Sequence, residues 1–216
     1  MQVNFLTLYT IMTLLQDKKL LIFDCDGVLF DSHNANIAYV NHCLELGGYP
    51  PLREELHDSV VYMSTRQFMN NLFSDPAEAD RLYRITQETD YTPFIKDLDP
   101  LFDFDRVLGK LNDTFYLAVA TNRGQSLERL IRHFRLDRYF SLRVSTVEAP
   151  PKPHPGMLIK CMDHFGVSAG ETLFFGDADS DRITALNAGI DYLWVGGTNM
   201  PGIASIEDLL QHIPVS

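Results

Sequence analysis

The stretch Lys19-Leu20-Leu21-Ile22-Phe23-Asp24-Cys25-Asp26-Gly27-Val28-Leu29-Phe30-Asp31-Ser32 decides the fold of this chain. Its first five residues form a short, largely apolar run, which is typical of a β-strand buried on both faces of a sheet. Asp24 ends the run, and the following residues are rich in acids and include a glycine, which predicts a loop. The sequence therefore predicts a buried strand whose end carries two acidic side chains.

The strand pattern returns further along the chain, in alternation with helical patterns. Strands are predicted over residues 116–120, 142–146, 172–175 and 192–195. Helices are predicted between them, over 125–134, 155–165 and 181–188. Regular alternation of strands and helices is typical of a parallel sheet with helices on both faces. The chain is thus predicted to have an α/β fold, with a Rossmann-like, doubly wound parallel sheet.

A helical insertion interrupts this pattern after the first strand. Apolar residues recur at helical spacing over 34–46, and Gly47-Gly48 provides a stop. From 49 to about 103 there is no β-like alternation, and prolines separate several helical stretches. We therefore predict an α/β core formed by residues 1–33 and 104–216, with an inserted all-helical domain over 34–103.

Composition and charge argue against several classes of protein. The chain has 216 residues, of which 45% are hydrophobic and 22% charged, so it falls in the ordinary globular range. Its formal net charge of -11 opposes the phosphate field of a nucleic acid, so we expect no nucleic-acid partner. The apolar segment 5–15 is too short to span a membrane, and no basic residue precedes it as in a signal peptide. We expect no membrane association, and a leading segment over 1–18 that packs on the core or is disordered.

The three cysteines bear on the cellular compartment. They are odd in number and widely spaced, and no two of them form a CxxC pair. This usage favours the reducing environment of the cytoplasm.

Polar side chains follow the predicted strands at the points where the strands end. Ligands of open parallel sheets bind at the carboxyl ends of the strands, so these side chains should converge on one edge. They are Asp24, Asp26, Thr121-Asn122-Arg123, Lys152, Asp177 and Asp181. So many carboxylates beside a single lysine repel one another unless a divalent cation neutralises them. An oxygen-only ligand set favours Mg²⁺ as that cation.

Four segments of the sequence resemble the four ordered motifs of the haloacid dehalogenase-like hydrolase superfamily. They are Asp24 to Ser32, Val119-Ala120-Thr121-Asn122, Lys152-Pro153-His154-Pro155 and Gly176-Asp177-Ala178-Asp179-Ser180-Asp181. The resemblance covers residues 20 to about 197. Because the helical insertion directly follows the first motif, the chain is most similar to the subgroup with a mobile helical cap. That subgroup includes phosphoglycolate phosphatases and β-phosphoglucomutases.

The resemblance implies a role for each side chain of the first two motifs. Asp24 would be the nucleophile and a ligand of Mg²⁺. Asp26 would donate a proton to the leaving oxygen and then activate water, with its main-chain carbonyl on the metal. Since dehalogenases of the superfamily lack this second aspartate, Asp26 implies phosphoryl transfer. Thr121 and the backbone N–H of Asn122 would bind phosphate oxygens.

The resemblance also implies roles for the last two motifs. Lys152 would bridge the phosphate and Asp24, and Asp177 would be the remaining metal carboxylate. Asp181 would orient metal-bound water or Lys152. In the cap, Arg53 and Arg66 are candidates for contacting a substrate anion.

The expected activity is that of a Mg²⁺-dependent phosphatase that acts on a small phosphorylated metabolite through an aspartyl-phosphate on Asp24. Two alternatives stay open. A phosphomutase of the β-phosphoglucomutase type would share every core residue, and a catalytically silent module would use the acidic cleft for a metal or a partner.

Overall fold

The computed structural model describes residues 12–196 and 202–211, and no side-chain placement is described for residues 61–62. The chain divides into two compact units. The larger unit holds the described residues up to Phe30 and from Pro100 onward, and the smaller unit spans Asp31–Asp99. No helix in the described part of the chain is long and apolar enough to cross a bilayer. The predicted leading segment 1–18 lies mostly outside the described residues.

Within the described residues, eight strands form: β1 (Leu20–Phe23), β2 (Phe30–Asp31), β3 (Asp99–Pro100), β4 (Tyr116–Ala120), β5 (Leu142–Val144), β6 (Thr172–Gly176), β7 (Asp191–Val195) and β8 (Gly202–Ile203). Six of them make a parallel sheet in the larger unit, in the order β5-β4-β1-β6-β7-β8. The short strands β2 and β3 pair separately where the chain passes from one unit to the other. Strand β8 was not predicted, because two residues are too few for a periodic signal.

Helices make up most of the remaining regular structure in the described part of both units. The smaller unit contains α1 (His33–Leu46), α2 (His57–Tyr62), α3 (Thr65–Leu72) and α4 (Pro76–Glu88). The larger unit contains α5 (Phe104–Asn112), α6 (Ser126–His133), α7 (Gly156–Phe165) and α8 (Asp179–Ala188). The predicted α/β fold with a parallel, Rossmann-like sheet is confirmed. The sequence prediction had no helix at α5.

Strand β1 lies at the centre of the sheet and sets its register. All four of its side chains are fully buried, as its apolar sequence predicts for a strand between two helical layers. Phe23 lies opposite Val119 of β4 and Phe175 of β6, and its ring stacks on that of Phe175 at 5.0 Å between centroids. Because the three strands are in this register, the residues that follow them lie at one level of the sheet edge.

The smaller unit has its own apolar core. Its fully or nearly buried members are Val40, Leu44, Leu52, Phe68, Met69 and Leu82. Helix α3 begins with a capping box between Ser64 and Gln67, and α4 begins with Asp75 as its cap followed by a proline. These local signals satisfy the free N–H groups of the first turns and explain why the helices start where they do.

Candidate active site

The carboxyl end of β1 places Asp24 at the centre of the sheet edge. The N–H of Asp24 still donates to the carbonyl of Phe175 at 2.9 Å, so its main chain continues the ladder of the sheet. Thr121 directly follows β4 and Asp177 directly follows β6. The motif residues predicted to converge on this edge therefore lie there in the structure.

A buried lysine joins two of the acids. Nζ of Lys152 lies 2.8 Å from Oδ1 of Asp24 and 2.5 Å from Oδ1 of Asp181. The lysine side chain is only 2% exposed, and Asp181 is fully buried. The second oxygen of Asp181 accepts the N–H of Ala178 at 3.1 Å. Asp181 is thus fully engaged in holding Lys152 and the start of α8.

Two glycines let the acids approach the main chain. Gly27 has a positive φ of 72°, and a Cβ there would lie 1.9 Å from Oδ2 of Asp177. A Cβ on Gly176 would lie 2.4 Å from the Cβ of Asp181. No side chain fits either position without displacing a carboxylate, so both glycines are required by this arrangement.

Asp26 is bound on one side by an arginine. Nε of Arg123 donates to Oδ2 of Asp26 at 2.9 Å, and Nη2 donates to Oδ1 at 2.5 Å. The arginine side chain is 7% exposed, whereas that of Asp26 is 32% exposed. Arg123 follows the second predicted strand, but no function was predicted for it from the sequence. The sequence carries no signal for this pair, since an arginine three residues past a strand is usually a surface group.

Asn122 and Thr121 form hydrogen bonds within the protein. The side-chain oxygen of Asn122 accepts the N–H of Lys152 at 2.8 Å, and its amide donates to the carbonyl of Lys152 at 3.4 Å. The hydroxyl oxygen of the buried Thr121 accepts the N–H of Arg123 at 3.2 Å. The side chain of Asn122 therefore fixes the lysine loop, and only its backbone N–H is a candidate for binding phosphate.

Burial and mutual repulsion shift the pKa values of two carboxyls upward. Burial raises the pKa of Asp24 to about 7, and nearby Asp181 and Asp26 add to the rise while Lys152 opposes it. Burial, followed by the charges of Asp24 and Asp181, raises the pKa of Asp177 to about 8. For Lys152, burial lowers the pKa, but the two ion pairs outweigh it and leave the pKa above its ordinary value.

The arrangement fits a divalent cation. Carboxylate oxygens of Asp24, Asp177 and Asp181 lie within 4.8 Å of one another. Oδ1 of Asp24 is buried and, apart from the ion pair with Lys152, has no hydrogen-bond partner among the described residues. When all are ionised, the four carboxylates at this edge exceed its two cations by two charges. Because Asp181 is already engaged, Asp24 and Asp177 are the carboxylates best placed to hold the ion, and Mg²⁺ prefers one or two such ligands with water.

The two arginines proposed to contact substrate both belong to the smaller unit. The guanidinium of Arg66 is ion-paired with Asp80 and lies 3.7 Å from the ring centroid of Tyr83. Arg53 is exposed and pairs with Glu55 at 2.8 Å. Contact of either with a substrate stays a prediction, and for both it would require exchange of an existing partner.

Comparison with known proteins identifies the family. The family model described as haloacid dehalogenase-like hydrolase matches residues 21–195. A phosphoglycolate phosphatase of Aliivibrio fischeri is 28% identical over 186 residues, which cover 81% of this chain and 82% of that protein. Pyrophosphatase PpaX of Halalkalibacterium halodurans is 24% identical over 178 residues, with 81% and 82% covered.

A solved structure agrees with this assignment. The crystal structure of a HAD-superfamily hydrolase of subfamily IA, variant 1, from Geobacter sulfurreducens has a TM-score of 0.75 and 30% sequence identity. The match covers 90% of this chain and 96% of that one. Together with the sheet edge described above, these matches show that the chain belongs to the haloacid dehalogenase-like hydrolase family.

Proposed function

We propose that this hydrolase is a Mg²⁺-dependent phosphatase that transfers a phosphoryl group from a small phosphorylated metabolite to Asp24 and then hydrolyses the aspartyl-phosphate. One observation carries the proposal. A buried carboxylate oxygen of Asp24, without a hydrogen bond among the described residues, lies beside the ammonium of Lys152 and close to Asp26. The names of the two relatives, a phosphoglycolate phosphatase and a pyrophosphatase, support the same reaction class.

In the first half-reaction, an oxygen of Asp24 forms a bond to phosphorus while the bond between phosphorus and the leaving oxygen breaks. The leaving oxygen takes a proton from Asp26 and departs as an alcohol. Lys152 balances the charge that develops on the phosphoryl group and keeps the attacking carboxylate in place. Asp181 holds Lys152 for this task through its short ion pair.

In the second half-reaction, a water oxygen attacks phosphorus and the bond from phosphorus to Asp24 breaks. The proton of the water returns to Asp26, so both carboxyls end as they began. Inorganic phosphate is the second product. When bound by Asp24, Asp177 and the carbonyl of Asp26, Mg²⁺ would supply positive charge to the phosphate oxygens and to the nucleophile.

We further propose that the smaller unit is a mobile lid that determines substrate choice. The chain leaves the active-site loop at Phe30–Asp31 and returns at Asp99–Pro100, and these two crossings are the natural hinges. A lid that closes over the site would exclude bulk water and strengthen the electrostatic interactions with a phosphoryl group. Such a device favours small phosphorylated metabolites over phosphoproteins.

The cysteines and the net charge fit a cytoplasmic enzyme that has no nucleic-acid partner. All three cysteines, Cys25, Cys43 and Cys161, are buried free thiols, which fits a reducing compartment. The net charge of -11 opposes the approach of a polyanion. The second point supports a small anionic substrate, whose charge a bound divalent cation would balance at the site.

The test is phosphate release across a panel of phosphorylated metabolites, with Mg²⁺ and with EDTA. Asp24→Asn should abolish release while the protein stays folded, and the wild type should incorporate radioactive phosphate from a substrate labelled on its phosphoryl group. Asp179→Asn is the matched control, because Asp179 is exposed and pairs with Arg182. Near wild-type turnover by Asp24→Asn would exclude the covalent mechanism, and return of label to a second hydroxyl would indicate a mutase.

A further inference from the structure

Arg123 and Asp26 form an ion pair through two hydrogen bonds at the sheet edge. The two parallel hydrogen bonds match the planar fork of a guanidinium to the two oxygens of a carboxylate, which is a geometry that fixes orientation as well as distance. The arginine is buried, whereas Asp26 keeps about a third of its surface exposed. One side of the carboxylate is therefore fixed and the other remains accessible.

The main chain of Arg123 is itself held at both ends of the residue. Its N–H donates to the hydroxyl of Thr121 at 3.2 Å. Its carbonyl accepts the N–H of Thr146 at 3.2 Å and the hydroxyl of Thr146 at 3.3 Å. The guanidinium thus extends from a fixed point, so it can hold Asp26 in place and does not merely follow it.

From this geometry we infer that Arg123 is the positioning residue for proton transfer by Asp26, an inference that rests on the proposed phosphatase reaction. The reacting step is the first one described above: the bond from Asp24 to phosphorus forms, the bond to the leaving oxygen breaks, and the proton of Asp26 moves to that oxygen. Arg123 touches none of the reacting atoms. It keeps the carboxyl of Asp26 in the plane and place from which the proton is delivered.

Two other roles for Arg123 lead to different results. An arginine that binds the phosphoryl group would matter equally for every phosphate ester, whatever its leaving group. An arginine that only stabilises the fold would lower the amount of active protein, again equally for every substrate. A residue that positions a proton donor matters most where the leaving oxygen needs a proton.

The experiment is a series of substituted phenyl phosphates, from unsubstituted phenyl to 2,4-dinitrophenyl phosphate, measured as kcat/KM with Mg²⁺. In Arg123→Met we expect kcat/KM to fall roughly a hundredfold for phenyl phosphate and by less than about threefold for the dinitrophenyl ester. With the dinitrophenyl ester the variant should release one burst of product per enzyme, because the following hydrolysis still needs Asp26. Asp26→Asn should show the same pattern, and the double variant should be no slower than Asp26→Asn alone.

Two further variants sharpen the test. Arg123→Lys keeps the charge but not the parallel pair of donors, so its kcat/KM for phenyl phosphate should lie between the values of the wild type and Arg123→Met. This variant carries the test if Arg123→Met does not fold. Arg182→Ala removes a partly exposed arginine of α8 that pairs with Asp179, and it should leave the relative kcat/KM values of the ester series unchanged. An equal loss across the series, no loss at all, or full activity in Arg123→Lys would each overturn the inference.

A measurement without turnover separates this inference from the proposed function. The Nε–Hε signal of Arg123 in a ¹⁵N spectrum should be protected from exchange with water, and it should lose this protection in Asp26→Asn. If the wild type releases phosphate from neither these esters nor the metabolite panel, the phosphatase assignment fails, and this signal still decides whether the pair exists. An Nε–Hε signal that Asp26→Asn leaves unchanged would overturn the positioning role.

Discussion

Replacing Asp177 by asparagine should make the metal-free protein more stable while removing its response to Mg²⁺. Burial and the charges of Asp24 and Asp181 raise the pKa of Asp177 from 3.8 to about 8. At neutral pH the folded state therefore binds a proton that the unfolded state has released. Ionising this carboxyl without a cation costs free energy. Asparagine has nearly the same shape but no charge, so the substitution removes this cost.

The size of the effect follows from the pKa. One pKa unit corresponds to about 1.4 kcal/mol, so the shift sets an upper limit of roughly 6 kcal/mol on the cost at alkaline pH. Part of Asp177 remains exposed, and water screens that part, so we expect about half of this limit, ~3 kcal/mol. In a chain of this size each kcal/mol moves the midpoint of thermal unfolding by about 2–4 °C.

The sign with pH is also determined. Between pH 4 and pH 8 the folded state holds the proton of Asp177 more tightly than the unfolded state does, so stability falls as the pH rises. The wild type in EDTA should therefore lose stability from mildly acidic to mildly alkaline pH. Asp177→Asn should show a shallower fall, and Asp24, whose pKa is raised to about 7, accounts for the part that remains.

The assay is thermal unfolding followed by circular dichroism, in EDTA and in excess Mg²⁺. An ion that binds only the folded wild type at a hundred times its dissociation constant adds about 2.7 kcal/mol, and Asp177→Asn should lack this gain. Asp179→Asn is the control, since its side chain is 75% exposed and it should change neither quantity. A lower midpoint for Asp177→Asn in EDTA at alkaline pH, or an undiminished response to Mg²⁺, would refute the reasoning.

Four further outcomes are expected. Asp24→Asn should lose turnover and should incorporate no labelled phosphate, as measured by phosphate release and by counting the quenched enzyme. Gly176→Ala should place a methyl group against Asp181. It should lower the free energy of unfolding by about 1–3 kcal/mol in a denaturant titration, and its effect on kcat should be larger than its effect on KM. Asn122→Ala removes two hydrogen bonds to the lysine loop and should cost about 1–2 kcal/mol in the same titration; unchanged stability would contradict the structural role of this side chain. Arg66→Ala should alter relative rates across a metabolite panel without changing the Mg²⁺ concentration that gives half activity, and an unchanged ranking would count against the lid.

The sheet could be predicted from the sequence because its strands are short, apolar and regularly spaced. Strand β4 was predicted with its observed bounds, and β1, β6 and β7 to within one residue. Strand β5 ends at Val144, two residues before the predicted end, because Ser145 turns there with its hydroxyl bound to Glu148. The periodicity of the sequence carries no information about such side-chain contacts, so it cannot predict where an edge strand ends.

The site was predictable for a different reason. A parallel sheet brings the residues after its strands to one edge, so topology alone placed Asp24, Thr121 and Asp177 together. Topology does not predict the direction in which a long side chain points. Arg123 and Asn122 are adjacent in sequence, yet one binds Asp26 and the other binds the main chain of Lys152. Those pairings depend on distances across the edge and could not be obtained from spacing.

Charge balance connects the chemistry of the edge to its stability. Burial makes Asp24 a proton-binding group near neutral pH, although the proposed reaction needs it as an ionised nucleophile. Lys152 offsets part of that cost, but Asp181 also uses the charge of Lys152, and Arg123 is paired with Asp26. A phosphate ester would bring about two more negative charges to an edge that already has two in excess when ionised. In the proposed reaction, the carboxylates expected to destabilise the metal-free fold would therefore also make binding of a divalent cation a condition for binding substrate.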